Sequence, residues 1–307
     1  MTISPYDQAF TPTFSGHETF ALRGSWLKKA YDLLATTPDL FSLPDAFVQL
    51  GVGKNMAQSI RFWGRACGVF ERDGNTVRAT EFGRRLLADD GWDPFLVTPA
   101  ARWLLHWQVA ARPEAAFTWF YTFNILRGGE FTTRHLADQI QAYAAERDWN
   151  VPSDTTITRD IECLLHCYSR PTGKHEQRVA EDSLLCPLAE LGLVQPTSHQ
   201  HTYRVLSGEQ LDIPDLLVAW SVGMFMRFAQ RQTSAFTDLA YAPRSPGRVF
   251  RFDEDGLLER LARLEDVTDD IARYTEQAGI RHVVWPNVLA FDPWALLDGV
   301  FANEENE

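Results

Sequence analysis

The sequence predicts a mainly α-helical protein: an N-terminal winged-helix-like domain, a helical middle holding a second, degenerate winged helix, and a helical C-terminal part. Three observations predict this. Apolar residues recur at helical spacing through most of the chain. Asp73-Gly74 stands between two short β-favouring runs, which is a strong hairpin signal. Helices, a Gly-containing turn, a basic helix and that hairpin follow one another in winged-helix order.

The first dozen residues are rich in Pro and Thr and are expected to be extended. Leu22–Thr36 reads as a helix, with Trp26, Leu27, Ala30, Leu33 and Leu34 on one face, and Pro38 ends it. Leu43–Leu50 is a second helix, with Ser42 as N-cap. Gly51-Val52-Gly53 turns the chain into a third helix, Lys54–Cys67, which Gly68 closes. Val69–Arg72 and Thr76–Ala79 form the hairpin around Asp73-Gly74-Asn75, and Thr80 caps a closing helix over Glu81–Ala88.

Pro99–Ala111 and Pro113–Leu126 are helices whose many aromatic residues, spaced helically, are expected to pack in the core. Helices over Thr132–Glu146, Ser153–Tyr168 and Leu184–Leu191 precede strands at Gly192–Gln195 and Thr202–Val205, an order that echoes the first module. Pro214–Gln232 is an apolar helix, Ala242–Gly247 a linker, and Asp253–Thr268 an amphipathic helix that Ile271–Ala278 continues. Pro293–Val300 is the last helix, followed by a frayed tail over Ala302–Glu307. The expected domains are residues 1–95, 96–240 and 241–307.

The chain of 307 residues is 45% hydrophobic and 23% charged, an ordinary globular balance. No apolar run reaches bilayer length, and the Met1–Asp7 start has neither the basic nor the apolar part of a secretory signal. Cys67, Cys163, Cys167 and Cys186 are too few for a disulfide scaffold, so reduced thiols and a cytoplasmic setting are expected. A net charge of −12 argues against a general polyanion binder, but the charge is uneven. Residues 51–88 hold seven bases against three acids, and residues 252–307 four bases against fourteen acids.

The third helix carries the best-supported site. Lys54, Gln58, Arg61 and Arg65 recur on one stripe, with Asn55 and Ser59 on its flank, while Met56, Ile60, Trp63 and Cys67 face inward. Lys and Arg neutralise phosphates, and Asn and Gln read base edges, so this stripe suits a recognition helix. A solvated face or a protein-docking module is the alternative. Arg23, Lys28 and Lys29, and Arg78 on the hairpin, join the DNA-facing set. In Phe14-Ser-Gly-His-Glu-Thr-Phe20, His17 beside Glu18 suits acid–base or metal chemistry, or else His17 makes a structural hydrogen bond. Cys163, His166 and Cys167, with Cys186, His199 and His201, fall short of a convincing zinc pattern and read as core thiols. No Walker loop, nucleophile elbow, dinucleotide fingerprint or kinase set is present.

Two segments carry a family resemblance. Phe14–Phe20 with Arg23, Trp26, Leu27 and Lys29, and Leu50-Gly-Val-Gly-Lys-Asn-Met56 with Ser59, Ile60, Arg61 and Trp63, resemble the B component of Ssp-type DNA phosphorothioation systems, a bacterial anti-phage defence family. Ala278-Gly279-Ile280-Arg281 adds a weaker likeness. The resemblance implies a DNA-nicking endonuclease that opens the backbone for sulfur incorporation. Its implied partners are double-stranded DNA, a cysteine desulfurase, a PAPS-reductase-like protein and an ATPase, with no membrane. It implies a divalent cation, Mg²⁺ or Mn²⁺, and no organic cofactor. His17 and Glu18 would then be the catalytic base or metal contact, with Arg23 and Lys54 steadying the phosphate. The residues alone rank binding above catalysis, and leave open a non-catalytic DNA-binding adaptor or a protein–protein scaffold.

Overall fold

The computed structural model describes residues 10–74, 76–169 and 186–304. Asn75, the first nine residues, Leu184, Leu185 and residues 305–307, on which some expectations above fall, lie outside the described residues. The protein is mainly helical with three small sheets.

The first unit follows the expected order closely. Helix α1 (Gly24–Thr36) buries Trp26, Leu27, Ala30 and Leu34. A 3-10 turn at Leu40–Ser42 leads to the short α2 (Ala46–Gln49) and then to α3 (Lys54–Ala66). Strands β1 (Phe70–Asp73) and β2 (Thr76–Ala79) pair antiparallel, with Phe70 opposite Ala79. Gly64 makes the hairpin's seat on α3: a Cβ there would stand 2.0 Å from Phe70 Cδ2. Thr80 caps α4 (Glu81–Leu87) by accepting from the Gly83 N–H.

The middle unit begins with α5 (Pro99–Ala110), capped by Thr98 with Pro99 in its first turn. The helix expected from Pro113 starts later, as α6 (Phe117–Phe120), and widens into a π-helical turn at Tyr121–Ile125. Asn124 occupies that turn. Its amide donates to the Ala110 and Phe120 carbonyls and accepts from the Arg244 N–H, so the wider turn is held by tertiary bonds that periodicity cannot show. The aromatic residues are core, as expected: Phe117 and Phe123 are fully buried and Trp103 and Trp119 nearly so. Then come β3 (Glu130–Thr132), α7 (Thr133–Ala145), α8 (Asp154–Tyr168), a 3-10 turn at Pro187–Leu191, β4 (Val194–Pro196) and β5 (Thr202–Val205). The sheet order is β3-β5-β4, all antiparallel.

The last unit differs most from expectation, and it repeats the middle one. It consists of α9 (Asp215–Phe228), β6 (Thr233–Ala235), α10 (Phe236–Tyr241), α11 (Pro246–Val249), α12 (Glu254–Ala262), α13 (Leu264–Val267), β7 (Arg273–Gln277) and β8 (Ile280–Val284). Its sheet order is β6-β8-β7, the same first-last-middle arrangement. Ile271–Ala278, expected as helix, is mostly strand β7. Asp269 and Asp270 at φ 50 and 63 stop the preceding helix, and Ala278-Gly279 at φ 50 and 76 make a two-residue turn that pairs Gln277 with Ile280. The Asp253–Thr268 helix breaks at Arg263, whose ψ of 1 is not helical. Ala242–Gly247, expected as a linker, is packed: Ser245 caps α11, and a Cβ on Gly247 would meet the Ala240 carbonyl oxygen at 2.5 Å.

Helix α14 (Pro293–Glu304) includes part of the stretch expected to fray. It returns to the first unit, where Asp298 accepts from Arg85 at 3.0 Å and from Trp92 Nε1 at 2.8 Å, and Phe301 stacks on Trp92. One continuous apolar core thus runs from Ala21 to Phe301. Among the described residues no helix is long and apolar enough to cross a membrane.

His106 joins three elements inside that core. It is fully buried on α5; its Nε2–H donates to the Val249 carbonyl at 2.7 Å, and its Nδ1 accepts from the Tyr168 hydroxyl at 2.7 Å. Burial drives its pKa down to about 4, against the opposing bond to Val249. Unfolded protein therefore binds a proton that native protein refuses between the ordinary histidine value and about 4. Stability should fall as pH drops through this window, by about 3 kcal/mol from this group. Urea midpoints across pH test it: His106→Gln should show a shallower slope than wild type between pH ~6.5 and ~4.

Candidate nucleic-acid interface

The segment before α1 fixes how α3 sits. Ser15, Gly16, Glu18 and Thr19 all have positive φ, 60, 96, 49 and 66, so the chain knots tightly. His17 lies inside the knot, 1% exposed. Its Nδ1 accepts from the Thr19 N–H at 3.1 Å, so Nε2 carries the proton and donates to Asp160 Oδ1 at 2.8 Å. Asp160, on α8 and also 1% exposed, accepts further from the Ser15 N–H and the Thr118 hydroxyl, both at 2.9 Å. The knot then meets α3. The His17 ring stands edge-on to Phe62 at 5.6 Å, and Trp63 Nε1 donates to the Phe20 carbonyl at 3.0 Å. Gly16 is needed for the close approach, since a Cβ there would stand 2.9 Å from Phe62 Cδ2.

This geometry gives His17 the structural hydrogen bonds that the sequence left open beside acid–base or metal chemistry. Both ring nitrogens are engaged and the ring is shielded from solvent, so it holds structure in place and has no nitrogen free to act as a base. Glu18 is half-buried beside it and forms no dyad with it. His17→Ala and Asp160→Ala should each lower unfolding free energy by about 2–4 kcal/mol, because each leaves buried polar groups unpaired. Urea denaturation followed by tryptophan fluorescence measures this, and a loss under 1 kcal/mol would count against the bonding described.

The α3 face matches its periodicity. Lys54, Asn55, Gln58 and Arg65 are exposed and Arg61 is half-buried, while Ile60, Trp63 and Cys67 lie in the core. Gly53 gives the first turn no side-chain cap. The Lys54 ammonium stands over the Phe47 ring at 5.4 Å, beside a cleft of about 260 Å³ lined also by Phe41, Gln58 and Arg61. Ser59 is the exception. It is fully buried.

The flanking bases divide into two groups. Lys29 is exposed next to the Gly51 turn, with Nζ 3.3 Å from where a Gly51 Cβ would stand. Arg23 stacks over Trp26 at 5.2 Å. Lys28, by contrast, is held by Asp32 at 2.6 Å and Asp89 at 2.7 Å. Burial pulls its pKa down, but the two carboxylates outweigh that and keep it raised. Arg78 pairs with Glu71, directly opposite on the hairpin, at 2.7 Å. Two further arginines join the face from positions that no local pattern marks. Arg72 on β1 and Arg112 after α5 line a cavity together with Arg65.

All four cysteines are buried. Cys163 donates to the Phe20 carbonyl at 3.3 Å, and burial raises the thiol pKa values of Cys67, Cys163, Cys167 and Cys186. His199 and His201 are exposed on a loop. Among the described residues no three His, Cys, Asp or Glu side chains converge to hold a metal, so no step is assigned to a bound cation.

A family model described as a protein of unknown function, DUF4007, matches residues 14–301. The chain is a DUF4007 protein. This DUF4007 protein is similar to two solved structures of SspB. A magnesium ion-bound SspB crystal structure shares 28% identity and a TM-score of 0.85, covering 96% of this chain and 89% of that one. A second SspB crystal structure shares 28% identity and a TM-score of 0.86, covering 99% and 92%. No curated protein matches. The likeness to SspB extends the resemblance carried by residues 14–63 over nearly the whole DUF4007 chain and bears out its kinship with the B component of Ssp-type systems.

Proposed function

We propose that this protein holds double-stranded DNA in an Ssp-type phosphorothioation system, and that α3 is its recognition helix. The outward Lys54–Gln58–Arg61–Arg65 face, exposed at all but the half-buried Arg61 and set on a chain of net charge −12, carries the proposal. All three units are read as winged helices. In the middle one the helix in the position of α3 is α8, which is pinned in the core through Asp160. In the last it is α12, whose Arg260 meets Asp215 at 2.5 Å, as does Arg263 just beyond it at 3.0 Å. These ties leave α3 as the helix best placed to meet phosphate.

Electrophoretic mobility shifts at several salt concentrations test the reading. Lys54→Ala/Arg61→Ala should weaken duplex binding about tenfold or more and flatten the salt dependence. Lys28→Ala and Arg78→Ala should change binding less than about threefold, because their charges are already paired. Unchanged affinity in the α3 double variant would overturn the proposal.

Strand nicking is a second reading, favoured by the magnesium-bound state of the similar SspB structure. Relaxation of supercoiled plasmid in Mg²⁺ or Mn²⁺ is the expected outcome, lost in Lys54→Ala/Arg61→Ala. Supercoils left intact by protein that binds the plasmid would leave a DNA-binding adaptor that recruits the sulfur-transfer enzymes.

A further inference from the structure

A cavity of about 220 Å³ opens beside the C-terminal end of α3. Arg65 from the helix, Arg72 from β1 and Arg112 from the turn after α5 all line it, as do the carboxylates of Glu71 and Glu114. Those carboxylates do little to balance the arginines. Glu71 is engaged by Arg78 at 2.7 Å, and Glu114 reaches Arg112 only at 3.4 Å, long for a charge-assisted bond. Gly68, at φ 71, lets Arg112 lie across the end of the helix: a Cβ there would stand 3.0 Å from its Nη1 and 2.9 Å from Gln108 Oε1. Arg65 is held below the ordinary arginine range, by burial first and then by Arg61, Arg72 and Arg112. Three guanidiniums against two carboxylates leave the lining with an excess of positive charge, which a bound anion would offset.

We infer that this cavity is a phosphomonoester site. A diester carries one charge and must continue in both directions, which suits the open α3 face. A monoester carries a charge of about −1.5 to −2 with three terminal oxygens, and it ends where it binds. Arg72 gives its Nε to the Gly74 carbonyl at 2.8 Å and Arg112 bonds Gln108 and Glu114 only at 3.4 Å, so the lining keeps guanidinium N–H donors for that group. The inference rests on α3 holding DNA, because the cavity adjoins that face and the terminal phosphate of a broken strand is then its source. Free phosphate or a nucleotide offers the same chemistry.

Three duplexes of one sequence separate these cases: intact, gapped with a terminal phosphate, and gapped with a terminal hydroxyl. Fluorescence anisotropy with wild type should show the phosphate end bound about tenfold tighter than the hydroxyl end, one good charge-assisted contact's worth. Inorganic phosphate should erase that preference, and so should Arg112→Gln, whose side chain is only 35% exposed but lies outside the core. Arg112→Gln should weaken binding of the phosphate-ended duplex about tenfold more than binding of the intact one. Equal affinity for the two ends in wild type would overturn the inference and leave the α3 reading standing. Failure of all three duplexes to bind, with calorimetry still showing Arg112-dependent binding of inorganic phosphate, would remove the DNA source and uphold the phosphomonoester site.

Discussion

A carboxylate cut off from water is unfavourable unless donors surround it, and Asp160 is surrounded. The Ser15 N–H and the His17 imidazole from the segment before α1, and the Thr118 hydroxyl from α6, each give it a hydrogen bond. Remove any donor and the remaining charge is stranded; keep all three and the segment before α1, helix α6 and helix α8 hold one geometry. The knot built this way presses His17 and Gly16 against Phe62 and takes the indole N–H of Trp63. The orientation of α3 follows from that, and so does everything said of its outward face.

The same knot shows what kind of information a sequence carries. The inward and outward stripes of α3 were legible because they depend on helical geometry alone. So were the Asp73-Gly74 hairpin and the Thr80 cap, which are local chemistry. The partner of His17 was not legible. Asp160 stands 143 positions away on a helix whose own pattern gives no reason to single it out. Ser59 and Arg112 fail in opposite directions for the same reason: one is covered and the other delivered by elements distant in sequence. The third sheet was missed because β6 is three residues long and β7 mixes Tyr and Thr with charged residues, so neither has a clear period. Its turn, Ala278-Gly279, was the signal available.

Two units with the same sheet order, and a first unit with helices and a hairpin in a similar sequence, indicate one plan used repeatedly. The units differ in what their helices do with charge. In the middle unit a buried carboxylate ties α8 inward, and in the last Asp215 collects two arginines. The first unit pairs Lys28, Arg78, Arg84 and Arg85 instead, all off α3. What is left over on α3 and around Arg112 is positive charge that the protein answers only in part.

The return of α14 to the first unit bears on how the molecule is made. Trp92 belongs to the opening third of the chain, yet it is packed by Trp294 and Phe301 and bonded by Asp298. During synthesis the N-terminal helices emerge early and can gather around Trp26, Trp63 and Leu22, but the surface at Trp92 stays open to water until the final helix leaves the ribosome. A chain lacking α14 therefore carries an uncovered indole, and an Arg85 paired only with Glu81, on the very unit that bears α3. Helix α14 thus acts as a seal, and only a chain that carries it can close the first unit.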